Sequence, residues 1–461
     1  MATTRTDAPG GAGSARRGED FYQGLLDQET RDVAVSLRAV SPAFLGTGGI
    51  APSRYFSADF HRLEVEHVWK RVWQVACREE QIAEAGDTYV YDVADTSLVI
   101  VRTEDGMIKA FHNSCLHRGT QLRVSGGPVE ELRCPYHGFT WSLGGELSEV
   151  PSEWDFPGLD RATMCLPEAA VGTWGGFVFV NPDPAAPPLA DYLENLPEHF
   201  ATWPLADRYL KAHIVRTVPC NWKISLEAFI ESYHVMAVHP QLLKTAAESL
   251  TEYDIYGAHV SRMVTGVGIS SEHLADAPAP ADIVTAMLGA KADLSGLDRG
   301  ATAREVVAEG VRASLQRRTG RDFSGVSDAE IIDGIEYFLF PNFMPWGGLL
   351  TSFAYTFRPA GNDPESCIIE IMVLEPVPEG AARPAAARTR VLEANESWID
   401  VDELGVFGRV FNQDGGTFAR VQRGLRASVR NETVLSSYQE SRIRHLHATI
   451  DTYIDNKGSQ G

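Results

Sequence analysis

Two cysteines and two histidines alternate within a short stretch of the sequence. One residue separates Cys115 from His117, and sixteen residues lie between His117 and the next pair, Cys134 and His137. A Cys₂His₂ zinc site usually groups its cysteines together and its histidines together. Alternation instead suits a two-iron cluster in which one iron takes both thiolates and the other takes both imidazoles. We interpret these residues as [2Fe–2S] ligands, with structural zinc as the alternative.

A glycine closes each of these two ligand pairs. Gly119 follows the first pair, and Gly138 follows the second. Glycine reaches backbone conformations that other residues avoid, so two tight loops around a cluster are predicted. Pro135 restricts the backbone of the second loop.

A second set of possible metal ligands follows further along the chain. If residues 222–234 formed one regular helix, Glu227, Glu231 and His234 would share a face. His239 would then lie roughly 140° away from His234, so the helix must end or bulge to bring the two histidines together. Two histidines and a carboxylate are the ligand set of non-haem Fe(II) oxygenases, with open positions for O₂ and substrate. The alternative is a pair of buried core histidines.

The carboxylate ligand must come from elsewhere in the chain. Asp414 stands at the start of a predicted C-terminal helix, so its alternative role is that of an N-cap. Asp400, Asp402 and Glu403 are rival candidates just before it. Composition and spacing alone leave this choice open.

The pattern of the sequence predicts an α+β protein. Residues 1–20 are small and polar and predict a disordered tail, and residues 21–80 predict the N-terminal helical part of the catalytic domain. Short β-rich runs in residues 81–185 predict a small antiparallel domain. It would be inserted in a larger catalytic domain that continues over residues 186–461, with an antiparallel sheet flanked by helices.

Composition narrows the class of partner. The net charge of −21 argues against nucleic acid and anionic membranes, because both are negative themselves. No apolar run is long enough to span a bilayer, and the first residues lack an apolar signal. Six scattered cysteines without an export signal favour a reducing compartment, which predicts a cytoplasmic protein.

Five segments together resemble the α subunits of Rieske ring-hydroxylating oxygenases, such as the naphthalene and biphenyl dioxygenases. The segments read CLHRG, CPYHGFTW, NWKISLEAFIESYHVMAVHP, FPNFMPW and QDGGTFARVQRGL. The first three are the most specific, and the resemblance covers roughly residues 50 to 430. It implies a Rieske domain joined to a catalytic domain that carries mononuclear Fe(II).

The resemblance also assigns roles to individual residues. It implies that Cys115 and Cys134 bind one iron of the cluster and that His117 and His137 bind the other. It implies a mononuclear iron bound by His234, His239 and Asp414.

Glu231 falls where the family has an acidic residue that bridges the two metal sites across a subunit boundary. That residue is more often Asp, so a bridge through Glu231 is one methylene longer. Ala228 stands where the family often has Asn, which alters the hydrogen bonding near the iron.

The implied function is that of a terminal oxygenase component. O₂ and electrons from NAD(P)H, delivered by a reductase with or without a ferredoxin, would hydroxylate a small hydrophobic substrate, aromatic or polycyclic. The outcome would be dihydroxylation or monooxygenation. A homotrimer is implied, with or without a separate β subunit. The alternatives are a Rieske electron-transfer protein and an O- or N-demethylating monooxygenase.

Overall fold

The computed structural model describes residues 12–455 of the chain. No helix among these residues is long and apolar enough to cross a membrane.

The first half of the chain forms two small antiparallel sheets. Seven strands form one sheet in the order β1-β10-β9-β4-β3-β2-β5, and β6, β7 and β8 form a three-stranded sheet beside it. The strands are β1 Gln74–Arg78, β2 Asp87–Val93, β3 Thr96–Arg102, β4 Ile108–His112, β5 Gly127–Pro128, β6 Leu132–Arg133, β7 Thr140–Trp141, β8 Leu147–Glu149, β9 Glu168–Trp174 and β10 Phe177–Asn181.

The second half forms one eight-stranded sheet in the order β12-β13-β14-β15-β16-β17-β11-β18. It is antiparallel except where β18 pairs parallel with β11. Every residue of β16 is buried, so both faces of the sheet are covered there. The strands are β11 Arg208–Val218, β12 Glu252–Ile255, β13 Val260–Thr265, β14 Gly334–Leu339, β15 Phe343–Pro345, β16 Phe353–Pro359, β17 Cys367–Pro376 and β18 Thr389–Val391.

Helices precede the first sheet and surround the second. They are α1 Ala12–Leu26, α2 Ala58–Glu64, α3 Leu189–Tyr192, α4 Leu196–His199, α5 Trp222–Glu227, α6 Val235–Val238, α7 Pro280–Leu288, α8 Ser295–Asp298, α9 Ala303–Thr319, α10 Asp328–Ile332, α11 Phe407–Ala427 and α12 Ser441–Asp455. This arrangement confirms the predicted α+β class, with a small β domain inserted in a larger one.

Two of the four hydrophobic clusters among the described residues bear on the metal sites. The larger core runs from the first sheet into the eight-stranded sheet. Asn342 joins the two sheets, because its side chain accepts from the backbone N–H of Val75 (3.2 Å) and donates to the carbonyl oxygen of the same residue (3.3 Å). A smaller core contains Cys115, Cys134, Phe139 and neighbouring apolar residues, and no residue of the eight-stranded sheet.

Two predictions for the N-terminal segment are wrong. Helix α1 begins at Ala12, inside the predicted disordered tail, and Tyr22 anchors it by donating to Asp333 (3.0 Å) in the core. Residues 1–11 lie outside the described residues. The predicted helix near residue 80 is instead strand β1, because all five of its residues are buried and four of them pair with β10.

Candidate metal centres

The two predicted cluster loops have the same backbone structure. In the first loop, the N–H of Cys115 donates to the oxygen of Thr120 (2.8 Å), and the N–H of Gly119 donates back to Cys115 (2.8 Å). In the second loop, Cys134 and Phe139 form the equivalent bond (2.8 Å), and Gly138 donates back to Cys134 (3.1 Å).

Each loop needs its glycine. Gly119 has a φ of 78° and Gly138 has a φ of 79°, in the left-handed region that side chains disfavour. The predicted role of these two glycines is therefore confirmed.

The four side chains are arranged with sulfur inside and imidazole outside. Cys115 and Cys134 are buried, His117 is partly exposed and His137 is exposed. The two imidazole rings lie with their centroids 4.8 Å apart, and Phe139 stacks against His117 at 4.7 Å. A group held by these loops would therefore present its histidine side to the protein surface.

The residues present fit a two-iron cluster. Two free thiols are buried in the same hydrophobic cluster, and the buried Nδ1 of His117 has no hydrogen-bond partner among the described residues. A buried nitrogen without a partner is costly unless something else occupies its lone pair. Metal ligation accounts for that nitrogen, whereas a purely structural histidine leaves it unexplained.

The second ligand segment is a broken helix. Helix α5 ends at Glu227, and the next helix, α6, starts after His234. The prediction of one helix carrying Glu227, Glu231 and His234 is wrong, because two side chains take over backbone donors in between. Glu231 Oε2 accepts from the N–H of His234 (3.0 Å), and the Tyr253 hydroxyl accepts from the N–H of Ser232 (3.0 Å).

This break places the two histidines at opposite ends of α6. His234 precedes the helix and His239 follows it, with a φ of −122° at His239. Helix α6 ends before Pro240, as predicted. The two histidine rings lie with their centroids 5.1 Å apart.

Asp414 completes a convergent set with the two histidines. One ligand atom from each of His234, His239 and Asp414 lies within 4.8 Å of the other two. Asp414 Oδ1 is 3.6 Å from His234 Nε2 and 2.8 Å from His239 Nε2. His239 Nε2 and Asp414 Oδ1 are nevertheless both buried without a hydrogen-bond partner among the described residues. Two neutral imidazoles, one carboxylate and two unpartnered atoms fit a divalent iron.

Asp414 does not stand where the sequence suggested. It lies well inside α11, two turns from the start of the helix at Phe407, and it is buried. The N-cap role is therefore excluded. The rivals Asp400, Asp402 and Glu403 lie in short 3-10 turns before the helix and are not part of the convergent set.

Each histidine ring is held in place by a hydrogen bond from its Nδ1 atom. His234 Nδ1 donates to Glu231 Oε1 (2.7 Å), and His239 Nδ1 donates to Gln413 Oε1 (3.0 Å). Gln241 donates to the same oxygen of Gln413 (2.6 Å). Such bonds leave Nε2 of each ring available for a metal and fix the direction of its lone pair. Burial lowers the pKa of His234, but the hydrogen bond and charge of Glu231 outweigh this effect and raise it.

Gln413 and Gln241 were missed by the sequence analysis. Gln413 precedes Asp414 in sequence, and its place directly before a candidate ligand was the only available signal. No sequence spacing reveals that Gln413 bonds to His239, because the two residues lie far apart in the chain.

Aromatic side chains pack beside the three converging residues. Phe229 contacts Tyr355 (5.2 Å between ring centroids) and Phe411 (6.1 Å), and Phe353 contacts Phe411 (5.8 Å). Phe411 is three residues before Asp414 on α11, so the aromatic cluster and the ligand share a helix. The site is therefore aromatic on the side from which Asp414 comes.

Two protein families match the chain. The family described as "Ring hydroxylating alpha subunit (catalytic domain)" matches residues 198–456. The family described as "Rieske [2Fe-2S] domain" matches residues 72–159. The first match covers more than half of the chain, so the chain belongs to the ring-hydroxylating α-subunit family. It joins a Rieske [2Fe–2S] domain to the family's catalytic domain, as the resemblance implied.

The curated relatives include both aromatic-ring dioxygenases and quaternary ammonium monooxygenases. The biphenyl 2,3-dioxygenase subunit alpha of Rhodococcus jostii is 33% identical over 195 residues, 41% of this chain and 42% of the relative. The carnitine monooxygenase oxygenase subunit of Acinetobacter pittii is 29% identical over 189 residues, 40% of this chain and 51% of the relative. The matches thus span about half the length of these relatives.

Solved structures share the fold over most of the chain. A quaternary ammonium Rieske monooxygenase that oxidises carnitine superposes with a TM-score of 0.64 at 18% identity, covering 88% of this chain and 95% of the other. Naphthalene 1,2-dioxygenase from Rhodococcus sp. gives a TM-score of 0.58 at 18% identity, covering 89% and 95%. The predicted fold class is therefore confirmed.

Proposed function

We propose that the chain is the terminal oxygenase component of a Rieske non-haem iron system. Its reductant would be NAD(P)H, acting through a reductase with or without a ferredoxin, and its oxidant would be O₂. The observation that carries the proposal is the convergence of His234 Nε2, His239 Nε2 and Asp414 Oδ1 in the chain that also holds the Cys–His loops. An electron carrier without oxygenase activity needs only the loops.

The proposal assigns one role to each set of residues. Cys115, His117, Cys134 and His137 bind the [2Fe–2S] cluster, and residues 81–185 form the electron-relay domain. His234, His239 and Asp414 bind Fe(II), which supplies a centre that binds O₂ and accepts electrons when it is present. Residues 186–461, with the helical segment 21–80, form the catalytic domain.

We also propose a trimer in which each cluster serves a neighbouring iron. The exposed edge of the loops carries His137 and Tyr136, whose exposed fraction is 57%. Glu231 lies behind His234, and its side chain keeps about a tenth of its surface exposed in the single chain. A carboxylate has room for further donors beyond the two from His234, so it can also accept from His137 of a neighbour.

The substrate we propose is small, hydrophobic and aromatic. Phe229, Phe353, Tyr355 and Phe411 form an aromatic cluster that reaches Asp414 through α11, and apolar surroundings with few polar groups favour a neutral ligand. The chain's own part in the reaction is to bind this substrate, orient it toward the site and exclude water. Dihydroxylation and monooxygenation are both compatible with the arrangement.

A second candidate is a monooxygenase that demethylates or hydroxylates a quaternary ammonium compound. The aromatic faces beside the site favour it, because such faces attract cations. Several relatives are quaternary ammonium monooxygenases. Turnover with a surrogate reductase, on biphenyl, naphthalene, carnitine and glycine betaine, with mass spectrometry of products, separates the two. Oxygen incorporated only into a quaternary amine, or no incorporation at all, contradicts the aromatic proposal.

Metal analysis tests the cofactor content directly. Protein purified without oxidative loss is expected to hold about three irons per chain, two in the cluster and one mononuclear, with acid-labile sulfide. Iron, zinc and sulfide are measured together on the same sample. Stoichiometric zinc without sulfide contradicts the proposal.

The replacement His137→Cys tests the ligand assignment of the cluster. A thiolate adds negative charge that an imidazole lacks, so the reduction potential is expected to fall by on the order of 100 mV or more while a cluster remains. A redox titration followed by visible absorption measures the change. His112→Cys, outside both loops, is the matched control and is expected to leave the potential unchanged.

A further inference from the structure

Three side chains from distant parts of the chain meet in the interior of the catalytic domain. Glu227 Oε1 lies 3.0 Å from the Tyr55 hydroxyl and 2.9 Å from His447 Nε2, and Tyr55 and His447 lie 3.1 Å apart. Tyr55 precedes α2, Glu227 ends α5, and His447 belongs to α12. Tyr55 and His447 are almost completely buried.

The cationic side chains near Glu227 form ion pairs with other carboxylates. Lys223 donates to Glu64 at 2.6 Å, with both side chains fully buried. Arg54 pairs with Asp451 through both of its terminal nitrogens, at 3.0 and 2.6 Å. Glu227 therefore has no ion pair among the described residues. Its direct partners are a tyrosine and a histidine.

Both partners are neutral. Burial, followed by the charges of Arg54 and Lys223, lowers the pKa of His447 well below its ordinary value. Burial, followed by the charge of Glu227, raises the pKa of Tyr55 well above its ordinary value. A carboxylate with only neutral partners gains less from ionisation than one paired with a cation.

This arrangement accommodates Glu227 in either protonation state. When Glu227 is ionised, the Nε2–H of His447 and the Tyr55 hydroxyl both donate to it. When Glu227 is protonated, its O–H donates to Nε2, and the ring hydrogen moves to Nδ1. That Nδ1 is buried and has no partner among the described residues, so neither tautomer breaks an existing bond there.

Burial of Glu227 favours its protonated state near neutral pH. Burial raises its pKa to about 8, against the opposing effects of Tyr55, Lys223 and Arg54. The charge of Glu231, which follows Glu227 by four residues in the chain, raises the pKa further. Glu64, Asp451, Glu336 and Glu440 are further acids of this region. The pKa of Glu440 is itself raised by burial and then by the charge of Glu231.

We propose that Glu227, Tyr55 and His447 form a proton-holding triad beside Glu231 and that this triad supplies protons to the oxygen-reducing site. This inference rests on the proposed function. The overall reaction takes one O₂, two electrons and two protons per substrate, with both oxygen atoms in a diol or with one in an alcohol and one in water. Each proton given up by Glu227 is replaced from solvent, which approaches along the Arg54–Asp451 pair, where the Asp451 side chain is half exposed.

Infrared difference spectroscopy of the holoenzyme tests whether Glu227 holds a proton. Comparison of the unmodified protein with Glu227→Gln at pH 7 is expected to show the C=O band of a protonated carboxyl group. That band should disappear as the pH rises through about 8, because the folded-state pKa lies there. A difference spectrum that shows an ionised carboxylate at pH 7 overturns the proposal.

Exchange with D₂O tests whether the proton is available. The band is expected to shift within the mixing time in the unmodified protein and at least tenfold more slowly in Tyr55→Phe, where the connecting hydroxyl is lost. Tyr22→Phe is the matched control, because Tyr22 is also buried and also donates to a carboxylate, Asp333, elsewhere. Equal slowing in both variants, or no exchange in the unmodified protein, overturns a supply role.

Oxidation of the pre-reduced holoenzyme by O₂, with each of the four probe substrates named above, links the triad to function. Glu227→Gln is expected to slow this step by on the order of 100-fold, as loss of a positioned acid does. Its pH dependence above about 8 should also vanish. An unchanged rate overturns the triad. Failure of the unmodified protein to react with O₂ overturns the proposed function instead, whatever the infrared result.

Discussion

Replacement of Asp414 by alanine is expected to remove the mononuclear iron and abolish substrate oxidation while the visible spectrum of the cluster stays unchanged. Asp414 supplies the only carboxylate of the convergent set, and two neutral histidines are a poor site for Fe(II). The cluster loops lie in the smaller hydrophobic core, which contains no residue of α11. Iron analysis should therefore fall from about three to about two per chain.

The Asp414→Ala variant is also expected to fold. No hydrogen bond of its side chain is present among the described residues, so alanine leaves no donor unpaired. Glu403→Ala, in an exposed turn shortly before α11, is the matched control. Normal turnover in Asp414→Ala together with its loss in Glu403→Ala would show that the third ligand is misassigned.

Replacement of Glu231 by glutamine is expected to slow electron transfer from cluster to iron by on the order of 100-fold. Both oxygens of Glu231 accept from His234, one from Nδ1 at 2.7 Å and one from the backbone N–H at 3.0 Å. Glutamine puts an N–H where one oxygen stood, so one of these bonds must break. Glutamine also lacks the negative charge with which Glu231 would attract His137 of a neighbouring subunit.

Stopped-flow oxidation of the pre-reduced cluster, with substrate and O₂ present, measures this step. Both metal sites should remain occupied, and the cluster should still be reducible. Glu248→Gln is a matched control, because Glu248 is also buried and accepts from the Nδ1 of a histidine, His273, at 2.7 Å. An unchanged rate in Glu231→Gln would refute the bridge between the sites.

The structural features that the sequence predicts most accurately are those that the spacing of neighbouring residues determines. The two Cys–His loops depend on residues within five positions of each other, so their hydrogen bonds and their glycines follow from the motif alone. The antiparallel sheet of the catalytic domain was also predicted, and its strands β14 to β17 lie together in the eight-stranded sheet.

The features that sequence reasoning missed depend on distant side chains. The predicted helix over Glu231 is broken because the Tyr253 hydroxyl, from strand β12, accepts a hydrogen bond from the backbone N–H of Ser232. Gln413 holds His239 across 174 positions of the chain. His447 reaches Glu227 from α12 across 220 positions of the chain, and no local spacing rule links two residues that far apart.

The separation of the core around Cys115 and Cys134 from the larger core has a consequence for how the molecule unfolds. The smaller core surrounds Cys115 and Cys134 and contains few residues, so much of its stability must come from the group that the two thiols bind. The seven-stranded sheet shares the larger core with the catalytic sheet, partly through Asn342. Loss of the cluster should therefore loosen the metal-binding tip as a separate cooperative unit, while the sheet beneath it unfolds only with the rest of the chain.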